Sequence, residues 1–186
     1  EIMGSGGAID TLVALKDDGV IDHVGLAAGR VDMMEQCLIR ADFEVLLSHN
    51  RHTLINNNAN DLIDLARSKG IGILNASPYG SGILARGTRE YPRYAYQDAN
   101  ATIVGIVRQI EEICEGYNIP IGAAALQYSM RDPRITSTVV GISKPERIQQ
   151  NLDFASVEIP DDIWPILENI SNWKDDPEAT REYRPG

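Results

Sequence analysis

Residues 71–84 read IGILNASPYGSGIL. Ile71, Ile73 and Leu74 make the apolar run of a buried strand, and Ser77, Pro78, Gly80, Ser81 and Gly82 then crowd into a loop before the chain turns apolar again. A strand that empties into such a loop suits a phosphate or a cofactor, because backbone without side chains approaches a ligand closely and presents its N–H groups. The same residues also make an ordinary turn. What surrounds the stretch decides between the two.

Upstream, Ile9, Leu12, Val13 and Leu15 recur at helical spacing between Ala8 and Asp18, and Gly19 stands where a helix would stop. VIDHVGL (20–26) predicts a strand, VDMMEQCLI (31–39) a helix and FEVLLS (43–48) a second strand. NRHTLINNN (50–58) reads as a polar connector, and NDLIDLARSKG (60–70) as an amphipathic helix ending on a basic turn and Gly70. After the opening stretch come a long loop through GTREYPRYAYQDAN (87–100), helices over 101–117 and 121–131, and a fourth strand, TSTVVGI (136–142). SKPE (143–146) has the form of a capping box, with Ser143 as cap and Glu146 three residues on. A further helix and tail are expected from about residue 161.

Alternation of this kind implies a parallel sheet with helices outside it. Four βα units preceded by an unpartnered helix fit either an open doubly wound domain or half of a (β/α)8 TIM barrel. A dinucleotide fold needs G-x-G-x-x-G after its first strand, and GLAAGR (25–30) is only a badly spaced imitation. The barrel is therefore expected, as strands five to eight of one domain spanning 1–186. Its active site then lies at the C-terminal strand ends, at Ala27 and Ala28, 49–52, 77–82 and 141–143.

Composition narrows the class. The chain has 186 residues, 43% hydrophobic and 24% charged, enough for a real core. Its net charge of −10, with pI near 4.7, argues against a nucleic-acid or anionic-membrane surface. No apolar run approaches the roughly 20 residues that span a bilayer, and no charged-then-apolar leader opens the chain, so a cytoplasmic location is expected. Cys37 and Cys114 lie far apart inside helical patterns, which suits core or near-surface thiols better than a redox pair or metal cluster. His23, His49 and His52 have no carboxylate or cysteine at metal-ligand spacing.

With these elements placed, the chain resembles the C-terminal half of an aldo-keto reductase. KDDGVIDHVGLA (16–27) matches that family's helix and fifth strand, SPYGSGIL (77–84) its loop after the seventh strand, and VVGISKPERIQQNL (139–152) its eighth strand and following helix. LLSHNRHTL, LNASPYGSGIL and PRYAY are most similar to the aldose dehydrogenase branch, which holds the L-fucose, D-threo-aldose and pyridoxal dehydrogenases.

The resemblance implies an NAD(P)-dependent oxidoreductase acting on an aldose or related small carbonyl or alcohol substrate. It implies that Ser77, Tyr79, Gly80, Ser81, Gly82 and Leu84 lie along the cofactor near its diphosphate. Gly141, Ser143, Lys144, Arg147, Gln150 and Asn151 would take the adenosine end. Arg147 suits the 2′-phosphate of NADP, because its planar fork can bond phosphate oxygens bidentately. Gly141 stands where many NADP-specific relatives carry a basic residue, and Gln150 replaces a common Glu, which keeps NAD open. Ala76 occupies a position where many relatives stack a Tyr on the nicotinamide. By the same resemblance His49 helps hold the carboxamide and His52 borders the substrate.

The family's catalytic Asp, Tyr, Lys and His belong to its first four strands. They are expected upstream of this chain, and none of its own residues is assigned to catalysis. Tyr91, Tyr94 and Tyr96 lie in a stretch resembling a substrate-side lid. The alternative from another class is a non-catalytic NAD(P)-binding or regulatory module.

Overall fold

The computed structural model describes residues 4–171 and 173–179. Helix α1 (Ala8–Asp17) precedes β1 (Gly25–Ala27), α2 (Val31–Arg40), β2 (Val45–His49), α3 (Asn60–Ser68) and β3 (Gly72–Ala76). A short 3-10 turn (Gly80–Gly82) leads into α4 (Ile83–Glu90), which a non-helical Gly87 interrupts. A hairpin of β4 (Arg93–Tyr94) and β5 (Gln97–Asp98) follows, then α5 (Ala101–Gly116), α6 (Ile121–Met130), β6 (Ser137–Val139), α7 (Glu146–Ser156) and α8 (Ile163–Ile170).

The strands β1-β2-β3-β6 form one parallel sheet in that order, with Ala27 beside Leu47, His49 beside Ala76, and Ala76 beside Val139. Ile73 and Asn75 of β3, and Leu46 and Ser48 of β2, point into the helix layer and are buried. The residues between them face the other way and are half-buried. This is the curved strand-and-helix layering of part of a (β/α)8 barrel, and it places the C-terminal ends of all four strands on one side.

Two apolar clusters fill the helix layer. One gathers Met34, Leu38, Leu46, Leu62, Ile63 and Ile73 between β2, β3, α2 and α3. The other joins Leu84, Ile103, Val107, Ile110, Trp164 and Leu167 from α4, α5 and α8. In α5 the buried positions 103, 107, 110 and 114 repeat at helical spacing, and Asn100 accepts a hydrogen bond from the Ile103 N–H at 2.9 Å, which caps the helix. Ala123, Ala124 and Ala125 of α6 are fully buried, and such small side chains let neighbouring helices approach closely.

Three sequence expectations need correction. The long loop predicted over 87–100 contains the end of α4 and the β4–β5 hairpin, whose pairing is too short to leave a periodic signal. Ser143 does not cap α7. That helix begins at Glu146 behind Pro145, with no side-chain cap bond, and Lys144 precedes it.

The polar connector is not a surface segment, since residues 50–56 are buried. Asn57 N–H donates to Trp173 O at 3.1 Å, Asn56 Nδ2 to Asp175 O at 2.8 Å, and Asn57 Nδ2 to Ser171 Oγ at 3.1 Å. Asn58 Nδ2 likewise donates to Lys174 O at 2.5 Å, so the three asparagines clasp the segment after α8 through their side-chain N–H groups.

Candidate nucleotide site

At the C-terminal ends of β3 and β6 lies a cavity of about 570 Å3. The loop after β3 forms one wall through Ser77, Tyr79, Ser81 and Gly82. The β6–α7 segment forms another through Gly141, Ser143, Arg147, Gln150 and Asn151. The structure thus brings together nine of the residues singled out from sequence.

Backbone geometry explains the loop's composition. Ser77, Gly80, Ser81 and Gly82 all have positive φ, which folds the chain tightly without helix or strand. Gly82 has φ +121°, and a Cβ there would stand 2.9 Å from the Tyr91 ring, so only glycine fits. Several amides are already spent. Ser77 N–H donates to Val139 O at 3.1 Å, Gly80 N–H to Ser77 O at 3.0 Å, and Gly82 and Leu84 N–H to Tyr79 O at 2.9 and 3.1 Å. Ser81 Oγ donates to Asn50 Oδ1 at 3.3 Å, and the hydroxyls of Ser77 and, from the opposite wall, Ser143 add to the site's polar equipment.

Not every expected residue reaches this cavity. Leu84 is fully buried in the core, and Gly80 is buried against Tyr94 and Ile55, so neither lines it. Lys144 is exposed and also lies outside the lining. Conversely, Ala85, Arg86, Glu90 and Phe154 line it without having been singled out, and Tyr91 and Tyr96, from the stretch likened to a substrate-side lid, line it too. Arg86 follows the glycine loop by one helical turn, which is the signal in the sequence that could have flagged it.

Arg147 stands out electrostatically. Among the described residues its guanidinium has no hydrogen-bond or ion-pair partner, while its carbonyl accepts from Asn151 Nδ2 at 2.6 Å. Tyr79 OH donates to Asn151 Oδ1, and the Tyr79 ring meets Phe154 edge-on at 6.4 Å between centroids. This contact couples the two walls.

His49 ends β2 apart from that cavity, its Nε2 3.5 Å from Glu178 Oε2. Arg51, 1% exposed, lies beneath it, with Nη1 donating to His49 O at 3.0 Å and Nη2 to Asp176 Oδ1 at 2.8 Å. His52 does not face the mouth. It is buried against Tyr128, with ring centroids 5.2 Å apart, and its Nε2 stands 3.1 Å from Asp132 Oδ2, poorly aligned for a hydrogen bond. The loop after β2 turns outward into the helix layer, where Asn75 Nδ2 donates to His52 O at 2.9 Å, so the substrate-bordering expectation for His52 does not match its position.

Burial opposes ionisation of Asp132, but the His52 contact and the Arg134 fork, with bonds of 2.7–3.1 Å, overcome it and hold the carboxyl well below the usual carboxylate range. A carboxyl depressed in the folded state contributes stability that is present above its ordinary pKa of about 4 and is lost as pH falls below it. Urea stability of the wild type should therefore fall with acidification below about pH 4 more steeply than that of Asp132→Asn. Parallel curves for the two proteins would exclude this role.

The buried tyrosines move in the direction opposite to that of a proton-transferring phenol. Burial pushes Tyr79 up to about 12 and raises Tyr94 and Tyr128 as well. It likewise pushes the Cys114 thiol up to about 11, so that thiol is not a nucleophile near neutral pH. Among the described residues no group of three or more His, Cys, Asp or Glu is placed to hold a metal ion, and no helix is long and apolar enough to cross a membrane.

Comparison with known proteins agrees with the fold. The chain is 30% identical over 163 residues to pyridoxal 4-dehydrogenase of Microbacterium luteolum, covering 87% of this chain and 48% of that protein. It is 28% identical over 162 residues to D-threo-aldose 1-dehydrogenase of a Pseudomonas species, covering 86% and 49%. The chain thus spans about half the length of the curated relatives it matches. Its fold superposes on the holo form of aldo-keto reductase AKR11C1 from Bacillus halodurans with a TM-score of 0.73 at 16% identity, covering 94% of this chain and 56% of that one. The model of the aldo/keto reductase family matches residues 7–172, and the chain belongs to that family.

Proposed function

We propose that this chain forms the nucleotide-binding part of an NAD(P)-dependent oxidoreductase acting on an aldose or related small carbonyl or alcohol compound. In this reading β1, β2, β3 and β6 are strands five to eight of a barrel domain to which all of 1–186 belongs. Similarity to a pyridoxal and an aldose dehydrogenase supports the substrate class. A cytoplasmic protein without nucleic-acid partners accords with its net charge of −10.

The observation that carries the reading is Arg147, whose guanidinium has no partner among the described residues, on the wall of a polar cavity beside a glycine loop. The residues present fit a dinucleotide. Arg147 suits a 2′-phosphate, Ser77 and Ser143 supply hydroxyls for phosphate oxygens, Ser81 could do so by leaving Asn50, and Gln150 supplies an amide for the adenosine beside Asn151, whose amide bonds Tyr79 and the Arg147 carbonyl. His49, at the end of the neighbouring strand, is proposed for the carboxamide. Lys144 lies close in sequence to this end of the site but outside the cavity wall. When bound, the nicotinamide supplies hydride transfer, and the chain's own residues hold and orient it.

Arg147→Met tests the assignment. Removing a charge-assisted contact is worth about 1.5 kcal/mol at a partly exposed site, or roughly tenfold weaker NADP, whereas NAD has no 2′-phosphate to lose. Calorimetric titration of both nucleotides reads the ratio of their dissociation constants. Equal loss for both would indicate a damaged α7 rather than a phosphate contact, and no loss for either would end the NADP argument.

A second reading, a non-catalytic NAD(P)-binding module, draws on the upward-shifted tyrosines, none of which is prepared for proton transfer. Nucleotide binding without turnover of any aldose or aldehyde by the intact protein would favour it.

A further inference from the structure

We propose that a second cavity, on the flank of the protein between α3, α6 and α8, binds a small oxyanion, a carboxylate or phosphate compound, with His52 and Arg131 as its donors. The cavity holds about 480 Å3 and shares no lining residue with the nucleotide cavity. His52 reaches it from the connector after β2, Asn60 from the start of α3, Tyr128 and Arg131 from the end of α6, and Glu168 from α8. The turn after α6 adds Asp132 and Arg134. The unexplained feature is His52. It is 2% exposed, its Nδ1 has no hydrogen-bond partner, and its Nε2 has only the misaligned Asp132 carboxylate at 3.1 Å. A buried imidazole left this way costs stability, so its place in a wall of polar side chains marks where a ligand supplies the missing partner. Both nitrogens are covered in this state, and bonding a ligand turns the ring toward the cavity.

The unspent bonding capacity of the wall is rich in donors, which sets the class of ligand. Arg131 gives only Nη1 to Glu168 Oε1, at 2.8 Å, and its guanidinium carbon is held 4.6 Å above the centre of the Trp164 ring. Its Nε and Nη2 therefore keep their N–H groups for a ligand, on a plane that the stacking fixes. Asn60 Oδ1 accepts from Arg134 Nη2 at 3.2 Å, which leaves the Asn60 amide donors unbonded among the described residues. Helix α3 starts behind Ala59, which makes no side-chain cap bond, and an uncapped N-terminus favours negative charge. Asp61 in that first turn is exposed and outside the wall. The acceptors are committed: Asp132 takes the Arg134 fork, Glu168 takes Arg131, and Tyr128 OH donates to Asn57 Oδ1 at 2.9 Å. An entering anion meets a planar guanidinium, an amide and an imidazole, in a protein whose net charge of −10 makes such local donors necessary. To donate from Nδ1 while Nε2 stays toward Asp132, the imidazole carries a proton on each nitrogen, so binding takes up a proton. Of the charged groups in the wall, Asp132 and Glu168 favour that imidazolium, and Arg131 and Arg134 oppose it.

The experiment titrates the intact protein with inorganic phosphate and with succinate by calorimetry, at about pH 6 and about pH 8 and in buffers of different ionisation enthalpy. At least one anion should bind, more tightly at the lower pH and with proton uptake, and the one that binds names the class of compound. Arg131→Met and His52→Phe should each weaken that binding by about tenfold, the loss of one charge-assisted bond. Glu168→Gln should tighten it by about two- to fivefold by releasing Arg131, whereas Asp17→Asn on α1, an equal change of net charge, should not. Arg131 and Glu168 keep 42% and 48% of their side-chain surface in water, so their variants decide the matter should His52→Phe unfold. Binding that is lost in Arg147→Met but kept in Arg131→Met belongs to the nucleotide cavity and overturns the proposal. Failure of both anions to bind the wild type overturns it as well, without touching the nucleotide reading.

Discussion

Replacing Gly122 by valine should destabilise the protein by about 3 kcal/mol and weaken nucleotide binding at the same time, the cost expected of overpacking a tight helix contact. Gly122 is the second residue of α6, buried where α6 crosses α7, and a Cβ added there would stand 2.4 Å from the Phe154 ring. That ring also lines the nucleotide cavity and packs edge-on against Tyr79. Pushing it aside therefore moves a wall of the site. Even Gly122→Ala should lose stability, although alanine in a helix ordinarily gains up to about 1 kcal/mol over glycine. Urea midpoints at unchanged slope read the effect, with calorimetry of NAD binding beside them. A stabilised alanine variant would mean that Phe154 swings away freely and that the two helices are not in firm contact.

Asp176→Ala should be nearly as costly, at about 2–3 kcal/mol, because it strands a buried cation. Arg51 is 1% exposed, and Asp176 supplies its carboxylate at 2.8 Å, with Glu178 farther off at 3.6 Å. Its Nε has no partner among the described residues, so the guanidinium is already short of hydrogen bonds. The estimate sits below that for a fully buried pair because Asp176 keeps 24% of its side-chain surface in water. The informative variant is the double one. Arg51→Met with Asp176→Ala removes both charges, and it should be more stable than Asp176→Ala alone. A loss under about 0.5 kcal/mol in Asp176→Ala would show that water compensates Arg51 and that this pair does not fasten the segment after α8.

Periodicity and turn chemistry carried much of this protein in plain view. Strand and helix patterns depend on neighbours two to four residues away, so the alternating order, the parallel sheet and the amphipathic faces of α3 and α5 follow from local spacing. The glycine loop after β3 is legible for the same reason, since a chain that must take positive φ at several successive positions favours small residues there. Family motifs then pointed to Arg147, Asn151 and Ser77, which the fold gathers around one cavity.

Direction and partnership were decided only by tertiary structure. Leu84 reads like a loop residue beside the ligand, yet the turn through Gly82 aims it into the core. His52 lies three residues from His49, yet the chain leaves the sheet between them, and its ring meets Asp132, eighty positions away. The three asparagines look like a solvated linker, but the segment after α8 passes alongside and takes up their amides. Arg86 and Glu90 are one turn apart on α4 and would pass for a surface ion pair. What sets them in a cavity wall is α7, which lies some sixty residues downstream and closes the far side of the cavity. Local spacing sets which face of an element is apolar; the burial of a polar group is set by whatever distant chain packs against it, and that information is not local.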